Sequence, residues 1–135
     1  MPTFCKYLTC PPSSEVEYEF EIEGYAVYLV SLRFPPGSHG LLEVKFLYGH
    51  LQVFPQRSDQ SFQGDNEVIN SYEWWVLPEQ PTRLKVKLIN NDSKYEHGVI
   101  VRIHTLPSEA RYIIRVFYAI SRTILRFWYR PRVRR

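Results

Sequence analysis

The stretch EVEYEFEIE, residues 15–23, alternates without a break: Val16, Tyr18, Phe20 and Ile22 fall on one side, and Glu15, Glu17, Glu19, Glu21 and Glu23 on the other. A period of two marks an extended strand whose successive side chains leave opposite faces of a sheet. One face therefore belongs to a core, and the other is a row of carboxylates. Gly24 ends this strand, and the denser apolar run of Val27, Leu29, Val30 and Leu32 within residues 25–34 suits a strand covered on much of both faces.

The same reading continues outward. PPGSHG, residues 35–40, supplies the fixed and permissive φ angles of a tight turn. Strands are predicted at 41–48, 51–54, 67–77, 82–89 and 99–106, with the polar stretch QRSDQSFQGDN, residues 56–66, as the longest loop. In the later strands Leu84, Val86 and Leu88 oppose Arg83, Lys85 and Lys87, and Val99, Val101 and Ile103 oppose Arg102 and His104. Short alternating strands at these intervals predict an all-β fold, an antiparallel β-sandwich of jelly-roll or Greek-key type over residues 15–107. Residues 1–14, closed by Pro11 and Pro12, read as a lead-in.

Beyond Pro107 the period changes. Ser108 is a suitable N-cap with Glu109 behind it, and an amphipathic α-helix is predicted from 109 to 130, where Pro131 stops it. On this helix Arg111, Arg115, Arg122, Arg126 and Arg130 fall within about a 100° sector, opposite Ile113, Val116, Phe117, Ile120, Ile124, Phe127 and Trp128. Residues 108–135 thus form a basic helix and Arg-rich tail. The charge is divided accordingly: residues 1–108 carry nine Lys or Arg against thirteen Asp or Glu, and residues 109–135 carry eight Arg against one Glu. A basic segment on an acidic body implies an electrostatic partner for the segment: nucleic acid, an anionic membrane or an acidic protein face.

With 135 residues, 44% of them hydrophobic and 16% aromatic, the chain can bury one ordinary core. It has neither the basic start and apolar run of a secretory signal nor a span of about 20 apolar residues. Cys5 and Cys10 permit either a small disulfide loop or two free thiols. His39, His50, His97 and His104 lack close paired spacing; three of them lie at predicted turns and so can gather at one end of the sandwich. Asp59, Asp65, Asn66 and Glu67, and the Asn90, Asn91, Asp92 group, offer oxygens without the periodicity of a calcium loop, and turn chemistry explains them better. No cofactor or metal is expected. Tyr72, Trp74 and Trp75 are candidates for stacking on a sugar or base, with burial of both tryptophans as the favoured alternative. No nucleophile elbow, phosphate loop or dinucleotide fingerprint appears, and five carboxylates on one exposed strand face do not make an acid/base pair across a cleft.

The succession PPGSHGLLEVKFLYG, LQVFP, GDNEVI, LPEQPTRLKVKLINND and YEHGVIVRI, within residues 25–106, resembles small β-sandwich proteins encoded by archaeal viruses and bacteriophages. The resemblance implies a virion or appendage component. It supplies no ligand residues and does not extend to the helix.

The expectation is a non-enzymatic structural or assembly protein, located in a virion if viral, that associates with itself or with other structural proteins. Its proposed interface comprises Glu15, Glu17, Glu19, Glu21 and Glu23 on one side and Arg111, Arg115, Arg122, Arg126 and Arg130, with Phe117, Ile120, Ile124 and Trp128, on the other. The roughly 6.6 Å repeat of alternate strand residues is close to the roughly 6 Å axial step between helical residues four apart, so the two charged rows can mesh. Two alternatives stand beside it: a peripheral membrane or nucleic-acid binder acting through the tail, and a carbohydrate-binding module using Tyr72, Trp74 or Trp75. In every case the apolar side of the helix needs a cover from its own sandwich, another subunit or lipid.

Overall fold

Alternation at period two carries through eight strands in the computed structural model, which describes residues 3–128. They are β1 (Thr3–Cys10), β2 (Glu15–Ile22), β3 (Ala26–Phe34), β4 (Leu42–Tyr48), β5 (Leu51–Phe54), β6 (Glu67–Val76), β7 (Thr82–Asn90) and β8 (His97–Leu106), followed by α1 (Ala110–Trp128). Residues 3–10, expected as a lead-in, form β1. The other strand boundaries and the start of the helix fall within two residues of the expected ones, and the expected helix end at 130 lies outside the described residues.

The strands make two four-stranded antiparallel sheets, ordered β1-β8-β3-β6 and β2-β7-β4-β5. That order is the jelly roll, two interlocked Greek keys laid face to face. Inward phases of both sheets supply the core: Leu8, Val30, Leu32, Phe34, Val99, Val101 and Ile103 from the first sheet meet Leu42, Val44, Phe46, Phe54, Leu84, Val86 and Leu88 from the second, all buried. Phe46 lies edge-on to Phe54 and to Phe62, with centroids 6.0 and 6.1 Å away, and Phe54 in turn meets Trp75 at 5.9 Å. This aromatic chain ties the long 55–66 loop and the edge strand β6 to the centre. At the opposite edge Phe4 of β1 stacks on Phe20 of β2 at 3.9 Å and closes the gap between the sheets.

The connections sort to two poles. At one pole lie the 11–14, 35–41, 55–66 and 91–96 segments; at the other lie the β2–β3, β4–β5 and β6–β7 turns and the root of α1. Gly24 sits in the β2–β3 turn with φ of 134°, a conformation that side chains with a Cβ rarely adopt, and a Cβ there would meet the carbonyl of Leu106 at 2.6 Å. Gly24→Ala is therefore expected to destabilise the fold by about 1–3 kcal/mol, through backbone strain and the displaced end of β8, read as a lowered urea midpoint. An unchanged midpoint would contradict this packing.

Candidate functional site

Helix α1 leaves the sandwich after a three-residue connection, and none of its residues is buried. Its first turn is held by backbone bonds from Ala110, Arg111 and Tyr112 to the carbonyls of Pro107, Ser108 and Glu109. The expected side-chain cap by Ser108 is not formed; Ser108 contributes its carbonyl instead. Residues 113–128 present an apolar arc of about 180° that includes Ile113, Ile114, Val116, Phe117, Ile120, Ile124, Leu125, Phe127 and Trp128. Arg111, Arg115, Arg122 and Arg126 occupy a stripe of about 60° opposite, with Tyr112 and Tyr118 along its margins. No acidic residue lies in the helix, and among the described residues none of these four arginines makes an ion pair. The polar side chains that enter the helix are satisfied internally: the Ser121 hydroxyl donates to the Phe117 carbonyl at 2.8 Å and Thr123 to Ala119 at 2.9 Å. Arg130 and the rest of the tail lie outside the described residues. No described helix is long and apolar enough to cross a membrane.

The acidic row has partners within its own sheet. Register sets Glu17 beside Lys87, Glu19 beside Lys85 and Glu21 beside Arg83. Lys87 Nζ lies 3.3 Å from Glu15, while Arg83 reaches Glu19 at 3.7 Å and Glu21 at 3.8 Å. Across the outer face of this sheet five carboxylates (Glu15, Glu17, Glu19, Glu21, Glu43) mingle with four cations (Lys45, Arg83, Lys85, Lys87), so the face is striped and nearly neutral. Glu23 falls one residue beyond β2. A helix of arginines laid here would meet four cations beside the five carboxylates, which weakens the expected meshing of the two rows. The apolar side of α1 is not covered by its own sandwich, so one of the three expected covers is removed.

The aromatic candidates separate. Trp75 turns inward against Phe54 and Tyr48, whereas Tyr72 and Trp74 turn outward and are 81% and 54% exposed. The expectation that both tryptophans are buried fails for Trp74, because consecutive residues on β6 must face opposite sides. Trp74 is braced edge-on by Tyr25, with centroids 6.2 Å apart.

The titratable clusters expected at turns are fastenings. His39 and His97 lie at the long-loop pole and His50 at the other, so the histidines do not gather; among the described residues no three metal-ligating side chains come together. The Asp92 carboxylate accepts from the backbone N–H of Lys94 at 2.8 Å and contacts the His97 ring at 2.7 Å. Those two interactions, led by the Lys94 bond, hold it below the usual carboxylate range. Asp65 is lowered chiefly by the Gly37 N–H at 2.8 Å. Glu43 is partly desolvated, which works against its charge, but bonds from Asn91 (3.2 Å), Ser61 (3.0 Å) and Gln63 (2.8 Å) prevail and lower it too. These bonds pin the 55–66 loop to β4.

A group held below its unfolded pKa stabilises the fold wherever it is charged in both states, and that contribution is lost as pH falls through the lowered folded value. Glu43, Asp65 and Asp92 together predict acid sensitivity beginning near pH 4, the ordinary carboxylate range, and deepening below it. Glu43→Gln is expected to lower the urea midpoint at pH 7, with the difference from the parent shrinking by pH 3. A difference independent of pH would remove the carboxylate from the account.

The thiols occupy opposite faces of β1, Cys5 exposed and Cys10 buried, and both are free. Five residues of strand separate them by roughly 16 Å, beyond the reach of a disulfide. Burial pushes the Cys10 thiol pKa up.

The outer face of the β1-β8-β3-β6 sheet joins two of the expected stacking candidates, Tyr72 and Trp74, to residues that the sequence did not single out. Its outward positions bring Tyr7, Arg33, Arg102, Tyr72 and Trp74 onto one surface without an acidic neighbour in β1, β3 or β8. The signal was available as the alternate positions of those three strands, none of which contains Asp or Glu. Which strands stand side by side was not. No protein-family model matches the chain, and no curated protein matches it significantly.

Proposed function

We propose that the chain is a non-enzymatic, membrane-peripheral structural module whose helix α1 lies in the surface of an anionic bilayer and holds the sandwich against it. The observation that carries this reading is the wide apolar arc of α1 set against an acid-free stripe of arginines, with no part of the helix buried. A broad apolar side with Trp and Phe, a basic polar side and a length short of spanning are the attributes of an interfacial helix. Each arginine near an anionic leaflet contributes about 1 kcal/mol, and the bordering tyrosines suit the headgroup level.

Helix pairing between copies is the rival. A two-helix seam needs a stripe about two residues wide per heptad and would leave much of an arc of about 180° in water. The acidic row, with cations of its own sheet beside it, attracts the helix less than its five glutamates alone suggest. The setting proposed for the module is the surface of a particle or appendage with a lipid layer, and for this the support is the resemblance in residues 25–106.

The test is flotation of the full chain with vesicles of zwitterionic lipid and with vesicles containing about a third anionic lipid. Binding to the anionic vesicles, weaker on the neutral ones and reduced by salt, is the expected result. Failure to bind them, together with a salt-sensitive oligomer in lipid-free light scattering, would replace this reading with self-assembly.

A further inference from the structure

The outer face of the β1-β8-β3-β6 sheet forms a grid. Strand register places Tyr72, Leu29, His104 and Thr3 in one row, Asn70, Ser31, Arg102 and Cys5 in the next, and Val68, Arg33, Ile100 and Tyr7 in the third. Two arginines therefore sit on adjacent inner strands, their Cα atoms about 8 Å apart by strand and row spacing. Exposed rings flank them: Tyr7 on one edge strand, and Tyr72 and Trp74 on the other. Among the described residues neither Arg33 nor Arg102 makes an ion pair.

Charge decides between the occupants such a face could take. A second copy docking on it face to face would bring arginine against arginine. A neutral sugar would leave both guanidinium groups without a counter-charge. A bilayer would have to accept cations in the middle of the contact, not at its rim. A ligand carrying both anionic groups and flat rings answers every element of the grid. A double helix fits poorly, because its paired and stacked bases leave no free face for the exposed rings of the grid to stack on.

We infer that this face binds single-stranded nucleic acid, with Arg33 and Arg102 on phosphates and Tyr72, Trp74 and Tyr7 stacking on bases. Stacking platforms of this kind tolerate any sequence, since every base has a π face. Phosphate contacts make binding fall with salt. The inference is independent of where α1 docks.

The experiment measures binding of the full chain to a fluorescent oligothymidylate of 15 nucleotides by anisotropy over a salt series. Tyr72→Ala is expected to weaken binding about tenfold, with Tyr72→Phe retaining it because the ring remains. The double change Arg33→Ala/Arg102→Ala should weaken binding and lower the slope of log affinity against log salt by about 1.4, two single-strand phosphate contacts. All three side chains are exposed, so the sandwich survives their loss. Three results would overturn the inference: no binding by the parent chain, affinity unmoved by Tyr72→Ala and by the arginine pair, or a loss confined to Arg115→Ala/Arg122→Ala in α1. Tighter binding of a duplex of the same length would do so as well.

Discussion

Placing aspartate at both Ile120 and Ile124 is expected to reduce binding to anionic vesicles by at least a hundredfold while leaving the sandwich folded. Both side chains lie near the middle of the apolar arc of α1, and each is about half exposed in the isolated chain. Fully burying an isoleucine stabilises by about 1.5–3 kcal/mol, and with half of each side chain already covered the loss of two removes about 1.5–3 kcal/mol, to which the immersion of two carboxylates adds a further cost of about 1–3 kcal/mol each. A tenfold change in affinity corresponds to about 1.4 kcal/mol, so the lost apolar burial and the immersed carboxylates together reach the hundredfold. The two carboxylates also oppose the arginine stripe for the same surface. Because no residue of the helix is buried, the urea midpoint should stay within about 0.5 kcal/mol of the parent. Retained vesicle binding in this variant would separate α1 from the membrane and return the question to the sandwich.

The second large effect belongs to the core. Phe46→Ala is expected to destabilise the fold by about 3–5 kcal/mol, measured by urea unfolding followed through tryptophan fluorescence. Phe46 is fully buried on β4 and lies against Phe54 and Phe62, so its removal opens a void between the second sheet and the loop that crosses it. The two flanking rings limit collapse into the space, and the cost rises with the volume left empty. Val116→Ala in α1 is the companion measurement, since a side chain that is mostly exposed should change the midpoint little. A Phe46→Ala cost below about 1 kcal/mol would mean that the aromatic chain from Phe62 to Trp75 does not hold the loop.

What the sequence made legible follows from which physics is local. Side-chain alternation is set by the backbone itself, so β2, β3, β4, β5, β6, β7 and β8 could be read directly, and Val16, Tyr18, Phe20 and Ile22 showed their inward phase without any knowledge of partners. The change to a helical period after Pro107 was equally local. β1 was hidden because Lys6 falls on the core-facing phase of Phe4, Leu8 and Cys10, and because Pro11 and Pro12 draw the eye to a turn. Pairing is non-local: Glu19 and Lys85 stand 66 positions apart in sequence, and nothing short of the sheet order tells that they are neighbours. The carboxylate row and the β7 cation row were each visible, but their cancellation was not. The same reason concealed the surface shared by Tyr7, Arg33, Arg102 and Tyr72, which come from four different strands. Conversely, the opposite facing of Trp74 and Trp75 follows from adjacency alone, and only the identity of the inward one required coordinates.

The separation of connections into two poles has a practical side. Were α1 to dock on a bilayer as proposed, the stretch from Gln56 to Gln60 would lie at the pole away from the root of the helix, exposed and fastened at its base by Gln52, whose amide donates to the carbonyls of Pro55, Arg57 and Gln60. A foreign epitope grafted between Ser58 and Asp59 should therefore be offered outward to an antibody on decorated liposomes, making the scaffold a directional display platform.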